Sequence, residues 1–321
     1  MLSATYKLNS GHAMPVVGMG LWKVPRDSAE EQVYAAIKHG YRLLDCASDY
    51  ANEQQVGQGI TRALKDNLVK RQDLFVTTKL WCTNHHPDHV APALCRSLAD
   101  LHLDYVDLYL VHFPIALKYV PPETRYPPGW STDGLPDGPL EYARVPYQDT
   151  WRAMESLVDM GLARSIGVSN MSAALLYDVM AYARIPPAVL QIELHPYLSH
   201  VQLLDVAHEQ GLRVTAYSSF GDTSYHEIGM ASDQVVPLMH HEVIEEIAKK
   251  LGKTPAQVLL RWAVQRGCAV IPKSSNVGRM KENADLEFEI PDQDMKSIAG
   301  LDRNLRFNDP ATYAKRAIWA S

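Results

Sequence analysis

Short runs of β-branched and apolar residues recur along the chain, and a longer stretch with helical spacing of its apolar positions follows each run. Such alternation of strands and helices is typical of a parallel sheet with helical crossovers. Eight strands in a chain of 321 residues favour a closed barrel over an open doubly wound sheet, so the predicted fold is α/β, a (β/α)8 TIM barrel. The predicted strands are 16–20, 42–46, 74–79, 106–112, 165–169, 189–192, 213–217 and 269–272.

Local signals add detail around these strands. Ser28 and Glu31, three residues apart, predict a capping box at the start of a helix, and Thr254 followed by a proline predicts another helix start. Ahead of the first strand, residues 6–8 and 13–15 flank a turn-forming segment. They predict an N-terminal β-hairpin that plugs one end of the barrel.

Three long irregular stretches remain, at 113–145, 218–239 and 305–321. Irregular loops of this length inside a compact domain are usually functional. In a barrel they would lie on the face that holds the strand C-termini, so we expect them to form pocket walls. The chain 1–321 is predicted to be a single barrel domain.

Composition narrows the possible partners. The chain is 46% hydrophobic and 21% charged, with a net charge of −6 and no long basic run, so no nucleic acid or anionic lipid is expected as a partner. No stretch approaches the roughly 18 apolar residues of a membrane span, and the N-terminus has no apolar signal segment. We therefore expect a cytoplasmic protein.

Neither the cysteines nor a histidine cluster has the spacing of a metal or disulfide site. The cysteines lie far apart without ligand spacing and are expected to be free thiols: Cys46, Cys82, Cys95 and Cys268. His85, His86 and His89 lack a nearby partner motif. They are interpreted as the polar start of a helix near Pro87, and no metal site is predicted.

Polar residues fall at or just past the C-terminal ends of the predicted strands. Buried charges are unfavourable unless they are paired or functional, and all strand C-termini of a barrel share one face. We therefore predict a site on that face. Its members would be Asp45, Lys79, His112, Ser169, Asn170, Gln191, Tyr217 and Lys273.

Asp, Tyr, Lys and His together suit the reduction of a carbonyl group, in which a nicotinamide gives a hydride and the developing alkoxide needs a proton. A free phenol has a pKa of about 10, and a nearby ammonium group lowers it. Lys79 is expected to lower the pKa of a tyrosine beside it, while Asp45 pairs with Lys79. A neutral His112 could donate a hydrogen bond to the substrate carbonyl.

The segments around these residues resemble the aldo-keto reductase superfamily. They are Gly40-Tyr41-Arg42-Leu43-Leu44-Asp45 through Asp49-Tyr50, Thr77-Thr78-Lys79-Leu80-Trp81, and Leu110-Val111-His112-Phe113-Pro114. The resemblance implies a (β/α)8 barrel and a catalytic tetrad of Asp45, Tyr50, Lys79 and His112, with Tyr50 as the proton donor.

The same resemblance implies a site for NADPH, in which Tyr217 stacks on the nicotinamide and the Lys273 loop holds the 2′-phosphate. Lysine and arginine there favour NADPH, whereas Glu227 could reach the ribose hydroxyls and permit NADH as well. The implied cofactor residues are Ser169, Asn170, Gln191, Tyr217, Ser218, Lys273, Ser274, Ser275, Arg279 and Asn283. A Rossmann site is not supported, because neither Gly18-Met19-Gly20 nor Gly57-Gln58-Gly59 continues to a third glycine.

Within the superfamily, Leu305-Arg306-Phe307-Asn308-Asp309-Pro310 resembles the C-terminal substrate loop of fungal-type xylose (aldose) reductases, here about 303–321. This implies that Trp22, Asp49, His112 and Asn308 bind a sugar aldehyde. The sequence departs from that group at Leu194, at Gly221-Asp222 and at 311–313.

Two alternatives stay open. One is an aldose-6-phosphate reductase, for which Lys118, Arg125 or Arg306 could hold the phosphate. The other is a non-catalytic NADPH-binding barrel, against which the intact tetrad argues. In either case we expect a small-molecule ligand and a monomer or homodimer.

Overall fold

A computed structural model describes residues 1–135, 138–226, 235–314 and 318–319. Eight parallel strands form one sheet, and each strand pairs with the next one along the chain. Their bounds are β3 (Gly18–Gly20), β4 (Leu43–Asp45), β5 (Phe75–Leu80), β6 (Leu108–Val111), β7 (Ile166–Ser169), β8 (Val189–Glu193), β9 (Arg213–Tyr217) and β10 (Cys268–Val270). All eight predicted strands are present.

The sheet closes on itself between its first and last strands. Val17 and Val270 form a parallel bridge, and the Val270 N–H donates to Val16 O at 2.9 Å. A glycine is needed at this seam, because a Cβ on Gly20 would lie 2.4 Å from Ile271 O. The closed sheet with its surrounding helices is a (β/α)8 barrel, as the sequence predicted.

Helices follow the strands and cover the outside of the barrel. None of those in the described part of the chain is long and apolar enough to cross a membrane. The α-helices are α1 (Arg26–Lys38), α2 (Glu53–Lys65), α3 (Pro87–Leu101), α4 (Tyr147–Asp159), α5 (Ala173–Tyr182), α6 (Val201–Glu209), α7 (Thr223–His226), α8 (Glu242–Leu251), α9 (Pro255–Gln265), α10 (Val277–Ala284), α11 (Asp292–Ala299) and α12 (Pro310–Tyr313). Short 3₁₀ turns cover Ser48–Tyr50, Arg71–Asp73, Cys82–Asn84 and Leu238–His240.

The two predicted helix starts had different outcomes. The Thr254 side chain caps α9 in a reciprocal pair with Gln257, as expected. The capping box at Ser28 was wrong, because α1 begins at Arg26, directly after Pro25, which takes the N-cap position with an extended ψ of 142°. Ser28 therefore lies inside the first turn, where its hydroxyl donates to Pro25 O.

The predicted hairpin is confirmed as two antiparallel strands, β1 (Thr5–Lys7) and β2 (Ala13–Pro15). Leu8 and Met14 are buried against apolar side chains that fill the barrel interior, among them Leu43, Phe75 and Leu108. This cluster closes the end of the barrel that holds the strand N-termini. The opposite end is left for polar side chains.

Side-chain alternation along the strands then decides what reaches that open end. Successive residues of a strand point to opposite faces, so Leu43 and Asp45 share one face while Leu44 takes the other. Leu43 packs in the interior cluster and Leu44 packs in the layer between barrel and helices. Asp45, two residues after Leu43, therefore points into the barrel at the C-terminal end of β4.

Candidate active site

A cavity of about 290 Å³ lies at the C-terminal ends of the barrel strands. This is the face on which the sequence predicted a site, and barrel active sites are found there. Twelve of the predicted site residues line it: Trp22, Asp45, Asp49, Tyr50, His112, Ser169, Asn170, Gln191, Tyr217, Ser218, Lys273 and Asn308. Lys79 lies directly beneath, with no exposed surface.

Lys79 and Asp45 form a buried ion pair at the floor of the cavity. Lys79 Nζ lies 2.6 Å from Asp45 Oδ1 and also donates to Cys46 O at 2.8 Å. The second carboxylate oxygen of Asp45 accepts a hydrogen bond from Gln191 Nε2 at 2.7 Å. Because a buried charge must be both paired and hydrogen-bonded, this arrangement fixes the ammonium group of Lys79 in place.

Tyr50 contacts the same Lys79 ammonium group but is not itself part of a strand. It lies in the 3₁₀ turn after β4, which ends at Ala51 with a left-handed φ of 61°. The side-chain amide of Asn52 holds the turn by donating to Leu21 O and Val24 O, each at 3.0 Å. Lys79 Nζ donates to Tyr50 Oη at 3.0 Å, so the phenol hydroxyl shares the lysine with Asp45.

The pKa of Tyr50 is raised well above its usual value, contrary to the expectation from sequence. Burial is the largest cause, and the negative charges of Asp45 and Asp49 add to it. Lys79, which also pairs with Asp45, does not reverse this shift in the pKa of Tyr50. The Tyr50 phenol is therefore protonated at neutral pH.

His112 completes the group. Burial, with the charge of Lys79 as a smaller cause, holds its pKa well below the usual value, so the ring is neutral, as expected. Its ring lies edge-on to that of Tyr50, with centroids 5.9 Å apart. Its Nδ1 is buried without a hydrogen-bond partner in the described part of the chain.

Amide and hydroxyl groups line the next part of the cavity. Asn170, which has a left-handed φ of 59°, donates to His112 O at 2.9 Å and accepts from Tyr217 Oη at 2.7 Å. Ser169 Oγ donates to Gln191 O at 2.9 Å. A carboxamide beside an aromatic ring is the ligand that such a set suits, because amides pair with amides and the Tyr217 face can stack. The residues present thus fit a nicotinamide.

The predicted phosphate-binding residues lie at the beginning of α10. Lys273 lines the cavity, whereas Ser275 and Arg279 are exposed beyond it and Asn283 is buried in the helix. Ser274 Oγ is engaged in a local turn with the Asn276 backbone, at 3.2 Å. Exposed cations beside a helix N-terminus suit a phosphate group. Glu227 lies outside the described residues.

The mouth of the cavity carries the predicted substrate residues. Trp22 and Asp49 are half-buried, and burial raises the pKa of Asp49 to about 7. Asn308 Nδ2 donates to Tyr217 Oη at 3.1 Å, and Asn308 Oδ1 accepts from Tyr313 Oη at 3.0 Å. Polar groups that both donate and accept therefore face the opening.

Several aromatic residues of the wall were not predicted individually, although all but one lie in the three long stretches that were expected to form pocket walls. Trp130, from the long loop after β6, contacts Trp81 with ring centroids 4.9 Å apart and Tyr313 at 5.9 Å. Trp81 could have been found, since it lies two residues beyond Lys79 and so faces the same side. The unpredicted wall residues with aromatic rings are Trp81, Phe113, Trp130, Phe220, Tyr225 and Tyr313.

The histidines near residue 87 serve the start of α3, which begins at Pro87 as expected. The His86 side chain accepts from the Asp88 N–H, and the His89 ring stacks on Tyr119 with centroids 3.6 Å apart. Over the described ranges, no group of three or more His, Cys, Asp or Glu residues could hold a metal ion.

A family model described as "Aldo/keto reductase family" matches residues 11–303. The chain belongs to this family. It is 55% identical over 315 residues to the NAD(P)H-dependent D-xylose reductase xyl1 of Aspergillus niger, with 98% of each chain covered. A probable NAD(P)H-dependent D-xylose reductase xyl1 of Emericella nidulans shows the same identity and coverage. The aldose reductase structure from Schistosoma japonicum matches with a TM-score of 0.86 and 36% identity, covering 98% of this chain and 97% of that one.

Proposed function

We propose that the protein is an NADPH-dependent reductase that converts the aldehyde of a xylose-like aldose to the alditol. The observation that carries this proposal is the contact between Tyr50 Oη and Lys79 Nζ at 3.0 Å, beside a neutral His112 and under an open cavity. The protein is an NAD(P)H-dependent oxidoreductase of the aldo/keto reductase family, and its relatives named above are D-xylose reductases.

Each residue of the tetrad has one task in the proposed reaction. A bound nicotinamide supplies the hydride. Tyr50, protonated at neutral pH, gives its proton to the carbonyl oxygen, and Lys79 stabilises the phenolate that remains. His112, being neutral, donates a hydrogen bond to the same oxygen and orients it. Asp45 and Gln191 hold Lys79 in place.

Hydroxyl recognition at the cavity mouth supports a sugar substrate. With a pKa of about 7, the Asp49 carboxyl can donate or accept a hydrogen bond near neutral pH. The amide of Asn308 also offers both functions. The aromatic walls, including Trp22, give apolar surface for the carbon chain.

The sugar-phosphate alternative finds less support in the positions of its cations. Lys118 is exposed and paired with Glu141 at 2.9 Å. Arg125 donates to backbone carbonyls of its own loop, and Arg306 lies over the Trp319 ring at 3.8 Å. None of the three is among the cavity-lining residues that the structure describes.

A direct assay tests the proposal. Purified protein with NADPH should consume the cofactor when D-xylose or glyceraldehyde is added, and more slowly with a sugar 6-phosphate at equal concentration. The loss of nicotinamide absorbance is the readout. A preference for the phosphate ester would support the alternative, and no consumption over a broad aldehyde panel would support the non-catalytic barrel. We further propose that the protein works as one domain, as a monomer or homodimer, in the cytoplasm.

Removal of one phosphate-binding cation should separate the two cofactors. We expect Arg279→Ala to raise KM for NADPH about 10-fold and to leave KM for NADH nearly unchanged, because only NADPH carries the 2′-phosphate. This increase in KM corresponds to the lower end of the energies found for charge-assisted hydrogen bonds, because Arg279 is exposed to solvent. Lys281→Ala, on the same helix, is the matched control. Equal losses for both cofactors would mean that Arg279 does not bind the phosphate.

Removal of the mouth amide should separate two kinds of substrate. We expect Asn308→Ala to raise KM for xylose by about 2- to 12-fold, which corresponds to one lost neutral hydrogen bond. Butanal has no hydroxyl group that could bind the Asn308 amide, so its KM should be nearly unchanged in the variant. Steady-state kinetics with both aldehydes give the comparison. Equal losses would show that Asn308 only shapes the turn.

A further inference from the structure

Glu193 is a buried carboxylate that the proposed reaction does not use. It is the last residue of β8, two positions beyond Gln191, and its side chain has no exposed surface. Its two oxygens accept backbone hydrogen bonds from the C-terminal segment. The Phe307 N–H donates to Oε1 at 2.8 Å, and the Asn308 N–H donates to Oε2 at 3.0 Å.

Two further groups hold this carboxylate. His195 Nε2 lies 2.9 Å from Oε1, and Arg306 Nη1 lies 3.8 Å from Oε2. Burial alone would raise the pKa of Glu193, but His195, the Arg306 guanidinium and the Phe307 N–H together hold it below its usual value. The carboxylate is thus ionised, with three hydrogen-bond partners and the Arg306 guanidinium nearby. A buried charge with this many partners is fixed in position.

The backbone that Glu193 holds includes Asn308, whose side chain belongs to the proposed substrate site. Asn308 Nδ2 donates to Tyr217 Oη, and the Tyr217 hydroxyl donates to Asn170 Oδ1. Asn170 in turn donates to His112 O. On the other side, Tyr313 donates to Asn308 Oδ1. A shift of the backbone at 307–308 would therefore move the amide away from the cavity mouth.

We propose that Glu193 is a positioning residue for substrate specificity, which holds the segment 306–313 through the Phe307 and Asn308 amides so that Asn308 and Tyr313 face the cavity. The effect on substrates rests on the proposed aldose reduction, whereas the anchoring itself does not. Glu193 itself is not among the cavity-lining residues, and it reaches the cavity through its contacts with the segment 306–313.

Glu193→Gln tests this with minimal change in shape. If the amide oxygen keeps the contacts of His195 and Phe307, the amide nitrogen faces the Asn308 N–H and Arg306, so donor meets donor. We expect faster hydrogen exchange at the backbone amides of 305–314. We also expect KM for xylose to rise about 2- to 10-fold, with kcat and KM for butanal nearly unchanged. NADPH binding should persist.

Glu155 offers a matched control in the same chain. It is buried, and its Oε1 accepts the backbone N–H groups of Arg184 and Ile185 at 2.6 and 2.8 Å. It lies on α4, outside the barrel and away from the cavity. Glu155→Gln removes the charge of another buried carboxylate that holds backbone N–H groups, and its ratio of xylose to butanal activity should equal that of the wild type.

A double variant shows whether Glu193 acts through Asn308. In an Asn308→Ala background, Glu193→Gln should add no further change to the xylose-to-butanal ratio, because the group that it positions is gone. If Glu193→Gln fails to fold, Glu193→Asp keeps the charge, withdraws the carboxylate by one methylene group, and is measured in the same way.

The outcomes separate the two proposals. Three results would each overturn the role of Glu193. They are unchanged hydrogen exchange at 305–314 in Glu193→Gln, an equal loss of activity towards xylose and butanal, and a full additional change of the xylose-to-butanal ratio in the double variant. A wild-type protein that reduces no aldose would overturn the proposed function instead. The exchange measurement would still test the anchoring in that case.

Discussion

Tyr50→Phe should lower kcat for aldehyde reduction by about 10²- to 10⁴-fold, the usual range for the loss of a general acid. The phenol hydroxyl is the only group removed, and it lies 3.0 Å from Lys79 Nζ at the floor of the cavity. Affinity for NADPH should be nearly unchanged, because the Tyr50 hydroxyl is proposed to contact the substrate oxygen and not the phosphate groups of the cofactor. Single-turnover kinetics and cofactor titration by fluorescence give the two measurements.

Tyr109→Phe is the matched control for this variant. Tyr109 is a buried tyrosine on β6 that packs between the barrel and its helices and does not line the cavity. It should keep wild-type kcat. Near wild-type turnover in Tyr50→Phe, or an equal loss in both variants, would remove Tyr50 from the role of proton donor.

The barrel was predictable from sequence because its signals are local and repeated. Each strand is a short apolar run, and the alternation of its side chains carries Asp45, Lys79, His112 and Gln191 to the same end of the barrel. The hairpin was predictable for the same reason. The start of α1 was not, since Pro25, three residues before Ser28, takes the N-cap position and the helix begins directly after it.

The parts of the site that are not on strands could not be predicted from periodicity. Tyr50 lies in a 3₁₀ turn, and only the family resemblance singled it out. Trp130 reaches the cavity from the long loop after β6 and Tyr313 from the short helix α12, and the two rings contact each other although they lie far apart along the chain. The role of Glu193 could not be predicted, because the backbone amides that it binds lie more than 110 residues further along the chain. Such contacts leave no sequence motif.

The pKa of Tyr50 shows how burial can outweigh a neighbouring charge. The sequence favoured a lowered pKa because a lysine was expected beside the phenol, whereas removal from water and two carboxylates raise it. The direction of this pKa shift decides how each reaction direction depends on pH. Reduction uses the protonated phenol, so it should not lose activity through Tyr50 until the pH rises to the raised pKa. Oxidation of the alditol uses the phenolate and should become faster as the pH rises.

Lys79→Met should act on both the reaction and the fold. Without the ammonium group the pKa of Tyr50 rises further, so the phenolate left by proton transfer is less stable and reduction slows. The alditol oxidation profile should move to higher pH. The variant also leaves the Asp45 carboxylate buried with Gln191 as its remaining side-chain partner, which should cost about 3–5 kcal/mol of unfolding free energy. Denaturant unfolding and pH-rate profiles in both directions measure these effects.

A double variant separates the two effects. Asp45→Asn with Lys79→Met removes both charges of the buried pair, so much of the lost stability should return, because neither charge of the pair remains without its partner. The activity should not return, since the phenol still has no ammonium neighbour. Recovery of turnover together with stability would reduce Lys79 to a structural partner of Asp45. An unshifted pH profile in the single variant would do the same, because a group that stabilises the phenolate must alter the pH at which it forms.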